Sequence, residues 1–219
     1  MIIPSFAIER TQELLHDIED FCTIDGCEKP AFYLDSPLAQ KVTDVFAKYP
    51  VYLNQEIFKD HSDSDIFGLE RLKITGSVED SKQIRHEPNP KIIIAGSGMM
   101  NGGRILYHAR DFLPDEKNSL LIVGYQAAGT LGRRILEGEK HVRIMGQEIN
   151  IRASVEAIGS YSAHADLPQM ISYLSKIGGL KKAFVVHGEP DQSLTLPKNI
   201  TGRLKVEALM PQIGESYEL

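Results

Sequence analysis

The chain has 219 residues, 42% apolar and 25% charged, and carries a net charge of -6. That length supports one large domain or two small ones. The acidic balance excludes a general affinity for polyanions, so any nucleic-acid contact has to be local, made by backbone amides and a few cations. Cys22 and Cys27 are too few for a disulfide framework and lack C-x-x-C spacing, which points to a reducing, cytoplasmic setting. No apolar run reaches membrane-spanning length.

The opening MIIPSFAIERTQELL begins on a strand-like apolar run with no polar lead-in, as if residue 1 were the middle of something. MIIPSF reads as a strand end. AIERTQELLHDIEDF places Ile8, Leu14, Leu15, Ile18 and Phe21 near helical spacing. PAFYLD is a strand. SPLAQKVTDVFAKYP is a helix with Ser36 as N-cap and Pro37 in its first turn. Residues 54–90 are polar and mixed, and read as a helix followed by a loop. KIIIAG is an apolar strand of the buried parallel kind. GGRILYHARDFL is a helix, NSLLIVGY a strand and GTLGRRILEG a short helix. This alternation predicts an α/β domain with a parallel sheet and right-handed crossovers. Near residue 140 the texture changes. HVRIMGQEINIRASVEAIG alternates in short pieces around a turn at 146–147, which predicts antiparallel β. A helix from about Leu167, the strand KKAFVVHG, a helix near 192–202 and the ending LKVEALMPQIGESYEL complete the chain.

Four stretches can carry chemistry. In GSYSAHADLPQM, Asp166 followed by Gln169 resembles a capping box and Pro168 fits a first helical turn. His164 then lies just outside a helix N-terminus, where amides and the dipole favour an anion. A structural cap beside an exposed histidine is the plainer alternative. In FVVHGEP, His187 ends an apolar strand, the place where α/β folds collect ligands; a satisfied loop histidine is the other reading. IIIAGSGMMNGGRIL suggests a dinucleotide fingerprint, but after Gly96 and Gly98 the next glycine, Gly102, comes one position too late. A phosphate cradle of amides with Ser97 and Gly98 remains, as does tight packing alone. YLDSPLA offers the same physics at Ser36. The cations of GTLGRRILEGEKHVR read as a solvated face. The histidines stand at 16, 61, 86, 108, 141, 164 and 187, none near another, so the pairing typical of zinc segments is missing.

Taken in order, PSFAIERTQELL, YLDSPLA, IIIAGSGMMNGGRILYHA, IVGYQAAGTLGRRILEG, SAHAD and VVHGEP resemble the β-CASP branch of the metallo-β-lactamase superfamily, which comprises RNA-processing nucleases. The resemblance covers nearly the whole chain and is weakest in residues 54–90 and after about 195. It implies a Rossmann-like, parallel-sheet β-CASP domain over residues 1–149. Residues 150–219 are then the C-terminal segment of a metallo-β-lactamase αββα sandwich, of the RNA-metabolising type. It further implies His164 as general acid, His187 as a ligand in a two-zinc centre, and Ser162, Ser36, Ser97 and Gly98 as contacts to RNA phosphates. The family's H-x-H-x-D-H segment and its other ligands precede the first matching stretch and are absent here. The expected reading is therefore part of a zinc-dependent RNA-processing nuclease, with RNA and a missing N-terminal half as partners. Alone, the chain is expected to bind zinc weakly or not at all and to be inactive. Strands around Val155 and Val185, lacking that half, are expected to be uncovered and to drive homodimer formation. The alternatives are a metal-independent RNA- or protein-binding adaptor and a nucleotide-binding Rossmann enzyme.

Overall fold

The computed structural model describes residues 1–24, 30–54, 67, 72–162, 164–188 and 190–218. It packs as two units, Met1–Ser162 and Ala163–Leu219.

Short apolar runs build the first unit. They form strands β1 (Ile2–Pro4), β2 (Ala31–Asp35), β3 (Leu72–Ile74), β4 (Lys91–Ala95), β5 (Ser119–Ile122) and β8 (Ser154–Ala157). These make one six-stranded sheet in the order β3-β2-β4-β1-β5-β8, and every pairing is parallel. Successive side chains point to opposite faces, so neighbouring rows feed different cores. The row Leu34, Ile94, Ile3 belongs to one cluster, with Leu14 and Leu15 of helix α1 (Arg10–Ile24) and Ala39 of α2 (Pro37–Lys48). The row Tyr33, Ile93, Ile2, Leu120 belongs to the other. It packs with Ile105 and Ala109 of α4 (Ile105–Phe112), Ile135 of α5 (Leu131–Leu136) and the hairpin β6 (His141–Ile144) and β7 (Gln147–Asn150). Each Ile or Leu fully buried this way contributes about 1.5–3 kcal/mol. Covering both faces is what lets β2 and β4 be near-continuously apolar.

Helix starts follow their local chemistry. Ser36 Oγ accepts the Ala39 amide at 3.3 Å and Pro37 opens α2, as its sequence predicts. Helix α3 (Val78–Gln83) starts on a capping box between Ser77 and Asp80. The reading of residues 54–90 as a helix followed by a loop did not include β3, which precedes this helix. Only Leu72 of β3 is buried, so three residues leave no periodic signal. The rest of that reading, residues 55–66 and 68–71, lies outside the described residues. Phe21 is 60% exposed, because α1 buries a narrower face than its apolar spacing suggests, and Ile8, 59% exposed, lies in the turn before the helix.

The hairpin β6–β7 is antiparallel as expected, turning through Met145 and Gly146, whose φ angles are 51° and 81°. The following strand differs from expectation. β8 pairs in parallel with β5, from Ser119↔Ser154 to Ile122↔Ala157. Alternation alone does not distinguish a hairpin strand from the edge of a parallel sheet. Val155, expected to be uncovered, packs half-buried against the main core. The packing division at Ser162/Ala163 thus falls after β8, later than the sequence boundary at 149/150.

In the second unit, α6 (Leu167–Ser175) leads to β9 (Lys182–Phe184), α7 (Pro190–Leu204) and β10 (Glu207–Leu209). β9 and β10 pair in parallel through Ala183↔Ala208, with α7 as the crossover that parallel pairing requires. An apolar groove of about 670 Å³, lined among others by Met170, Leu174, Val185 and Ile200, runs along α6, β9 and α7.

Candidate nucleic-acid interface

In the first unit the chemistry-bearing residues gather at the C-terminal ends of the parallel strands. α4 and α5, which follow β4 and β5, pack on one face, while α1, which follows β1, packs on the other. Loops that diverge to opposite faces open a crevice between adjacent strand ends, the usual ligand position in such sheets. Ser36 follows β2, and its Oγ would lie 3.6 Å from a Cβ built on Gly96. Ser97 and Gly98 follow β4. Ser97 Oγ accepts the Asn101 amide at 3.1 Å and donates to Gly102 O at 3.2 Å. The Gly98 carbonyl accepts Gln126 Nε2 at 2.9 Å. The loop is therefore held largely by its own groups, with Ser36, Ser97 and Gly98 on one edge.

The hub of that edge is a residue the sequence reading passed over. Asp35 ends β2 with its side chain fully buried. Its Oδ1 accepts Arg104 Nη1 at 2.7 Å and Thr75 Oγ1 at 2.5 Å. Its Oδ2 accepts Ser81 Oγ at 2.6 Å and lies 2.6 Å from His108 Nε2. Burial works to raise the carboxyl pKa. The hydrogen bonds from His108, Ser81, Thr75 and Arg104 overcome it and hold the group well below the usual carboxylate range. Arg104 also donates to Thr75 O at 3.1 Å, tying the glycine loop to the turn after β3. Arg104 and His108 stand four apart on one helix face, and that spacing was the available signal.

Ser162 closes the first unit. It is exposed, and its amide donates to Ser160 O at 2.9 Å. Just before it, Tyr161 donates its hydroxyl to the Asp17 carboxylate on α1, and the Arg10 guanidinium lies 5.2 Å over its ring. Burial and the Asp17 charge push the phenol well above its ordinary pKa. Tyr161 thus pins this segment to α1. Tyr161→Phe is expected to lower stability by about 1 kcal/mol, read as a lower urea midpoint at unchanged slope.

In the second unit His164 is exposed ahead of α6. The capping box is present: Asp166 Oδ1 accepts the Gln169 amide at 2.8 Å, and Gln169 Oε1 accepts the Asp166 amide at 2.9 Å. His187 is exposed beyond the end of β9 with φ 65°. The strand stops at Phe184, earlier than its apolar run suggests. A Cβ on the next residue, Gly188, would lie 2.0 Å from Ser193 Oγ and 3.2 Å from its Cβ, so a larger residue there would force that buried serine to shift. Ala165 and Val186, next in sequence to the two histidines, both line the apolar groove. Among the described residues no three His, Cys, Asp or Glu side chains converge as a metal site. The two-zinc set therefore does not fit the donors described. The cations near residue 133 behave as a solvated face: Arg133, Arg134 and Arg143 pair with Glu137, Glu139 and Glu148.

A parallel six-stranded sheet with helices on both faces and a glycine-lined crevice at its strand ends defines a Rossmann-like domain, which a smaller second unit follows in the chain. The chain belongs to the Beta-Casp family of the metallo-β-lactamase superfamily. Residues 11–135 match the Beta-Casp domain, and residues 148–211 match the Zn-dependent metallo-hydrolase RNA specificity domain. It is 34% identical to Ribonuclease TTHA0252 of Thermus thermophilus, over 98% of this chain and 49% of that protein. It is 36% identical to an RNase J-like protein of Methanocaldococcus jannaschii, over 98% of this chain and 49% of that protein. Against transcription termination factor FttA of Thermococcus kodakarensis the identity is 31%, over 100% of this chain and 35% of that protein. The chain thus spans half or less of the length of these relatives.

Proposed function

We propose that the chain supplies the RNA-holding and proton-donating portion of a zinc-dependent RNA-processing nuclease. The observation that carries this is the match of residues 148–211, which include both His164 and His187, to an RNA specificity domain. His164 stands at the mouth of α6, where Asp166 and Gln169 already satisfy each other's amides. On this reading its imidazole donates a proton to the leaving oxygen of a phosphodiester. In the first unit, Ser162, Ser36, Ser97 and Gly98 supply hydroxyl and amide contacts to RNA phosphates. His187 serves as one zinc ligand, and the other donors come from sequence outside these residues. The family description implies zinc as the metal.

The test uses the purified chain with short single-stranded RNA and added zinc. Binding without cleavage is expected, with fewer than two tightly held zinc ions per chain by metal analysis. In a polypeptide that supplies the remaining ligands, His164→Ala should lower kcat by about 10²–10⁴-fold. Failure to bind RNA, or zinc-dependent cleavage by the chain alone with a paired metal centre, would overturn the proposal.

A further inference from the structure

We propose that Phe6 is a stacking shelf for an unpaired nucleobase; this rests on the RNA reading above. Phe6 follows β1, whose two neighbours in the sheet are β4 and β5. The loops after those neighbours carry Gly98 and Gly124. A Cβ on Gly98 would lie 2.7 Å from the Phe6 ring, and one on Gly124 would lie 3.6 Å away. The ring is thus flanked by glycine backbone from both adjacent loops. It occupies the point where the chain leaves β1 for one face and leaves β4 and β5 for the other, where parallel α/β sheets take their ligands.

A phenylalanine in such a position would ordinarily be covered. Phe6 stays 40% exposed, while Ile2 and Ile3 of the same segment are 2% and 1% exposed. Its backbone is fixed: the Phe6 carbonyl accepts Thr11 Oγ1 at 2.6 Å, and Thr11 is buried at the start of α1. A ring with few rotatable bonds, braced by its neighbours, loses little freedom when a base is laid on it. Ser36 lies along the same strand-end edge, and its hydroxyl, which accepts the Ala39 amide, can donate to the flanking backbone. Aromatic surface beside phosphate-binding groups is how single-stranded nucleic acid is held without base-specific hydrogen bonds. The acidic net charge makes this contact more important, since long-range attraction for the polyanion is weak.

The whole 219-residue chain is titrated with a short single-stranded RNA by fluorescence anisotropy. Phe6→Leu should weaken binding about tenfold, while Phe6→Tyr binds like the parent. The chain contains no tryptophan, so Phe6→Trp adds a reporter at the site itself. Its emission should be quenched by the RNA and unchanged by a sugar–phosphate chain whose positions are abasic. If Phe6→Leu fails to fold by circular dichroism, the tyrosine and tryptophan variants decide the matter. A parent chain that does not bind RNA overturns the shelf together with the RNA reading. A parent that binds RNA, with Phe6→Leu equally tight or Phe6→Trp unquenched, overturns the shelf alone.

Discussion

Asp35→Ala is expected to cost about 3–5 kcal/mol, the loss typical of breaking a buried ion pair by removing one partner. The carboxylate is fully buried and is the common acceptor for Thr75, Ser81, Arg104 and His108. Removing it leaves the Arg104 guanidinium, 19% exposed, and the His108 ring, 5% exposed, without the charge that justifies their burial. Asp35→Asn keeps the shape but not the charge, and should retain the fold at reduced stability. The pH dependence has a definite sign. Asp35 is held below its unfolded value, so in acid the unfolded chain binds more protons than the folded one. Its stabilisation is complete above the ordinary carboxylate value, about 4, and is lost as pH falls from there toward the lower folded value. Thermal melts from neutral pH into acid should show a slope that Asp35→Asn flattens. Equal slopes in the two proteins would show that this carboxylate does not set the acid limit.

Gly103→Ala should be almost as damaging, at about 3 kcal/mol once the left-handed backbone penalty and the overpacking penalty are combined. Gly103 has φ 78°, and a Cβ there would stand 2.3 Å from Gly96 O, 2.7 Å from Gly96 C and 2.9 Å from Ser97 N. These are backbone atoms and cannot swing away. Gly96 O also accepts the Ile105 amide at 3.0 Å, so the clash strikes the carbonyl that anchors the start of α4. Gly102 is the internal control. A Cβ there meets nothing within 4 Å, and Gly102→Ala should change stability by no more than about 0.5 kcal/mol. Urea unfolding of the pair checks both expectations. Indistinguishable midpoints would mean that the loop yields more easily than its contacts imply.

What could be read from the chain was what neighbouring residues decide among themselves. Ser36 with Pro37 announced α2, and Asp166 with Gln169 announced α6, because caps are short-range hydrogen bonds. Runs such as KIIIA announced buried parallel strands because both faces of the sheet are covered. The partner of β8 was not legible. Its alternating residues suit a hairpin as well as an edge, and the choice depends on β5, far away in sequence. The Asp35 hub was hidden for the same reason. It draws on the end of β2, the turn after β3, α3, and α4 with its N-cap, and meets only once the sheet has formed. Ser36 and Ser97 in the first unit, and His164 and His187 in the second, drew notice as residue types at element ends. Phe6 drew none, since an aromatic after a strand is ordinary until its glycine neighbours are seen.

The position of β1 has a consequence for synthesis. Three residues at the start of the chain form an inner strand, with Ile3 beside Ile94 and Ile2 beside Leu120. A ribosome releases Ile2 and Ile3 long before either neighbour exists. They must wait, apolar and unpaired, until β4 and β5 have emerged. Such non-local closure slows folding and leaves sticky surface open in the interval. Nascent chains stalled before β5 should therefore depend on chaperones, and those stalled after it much less.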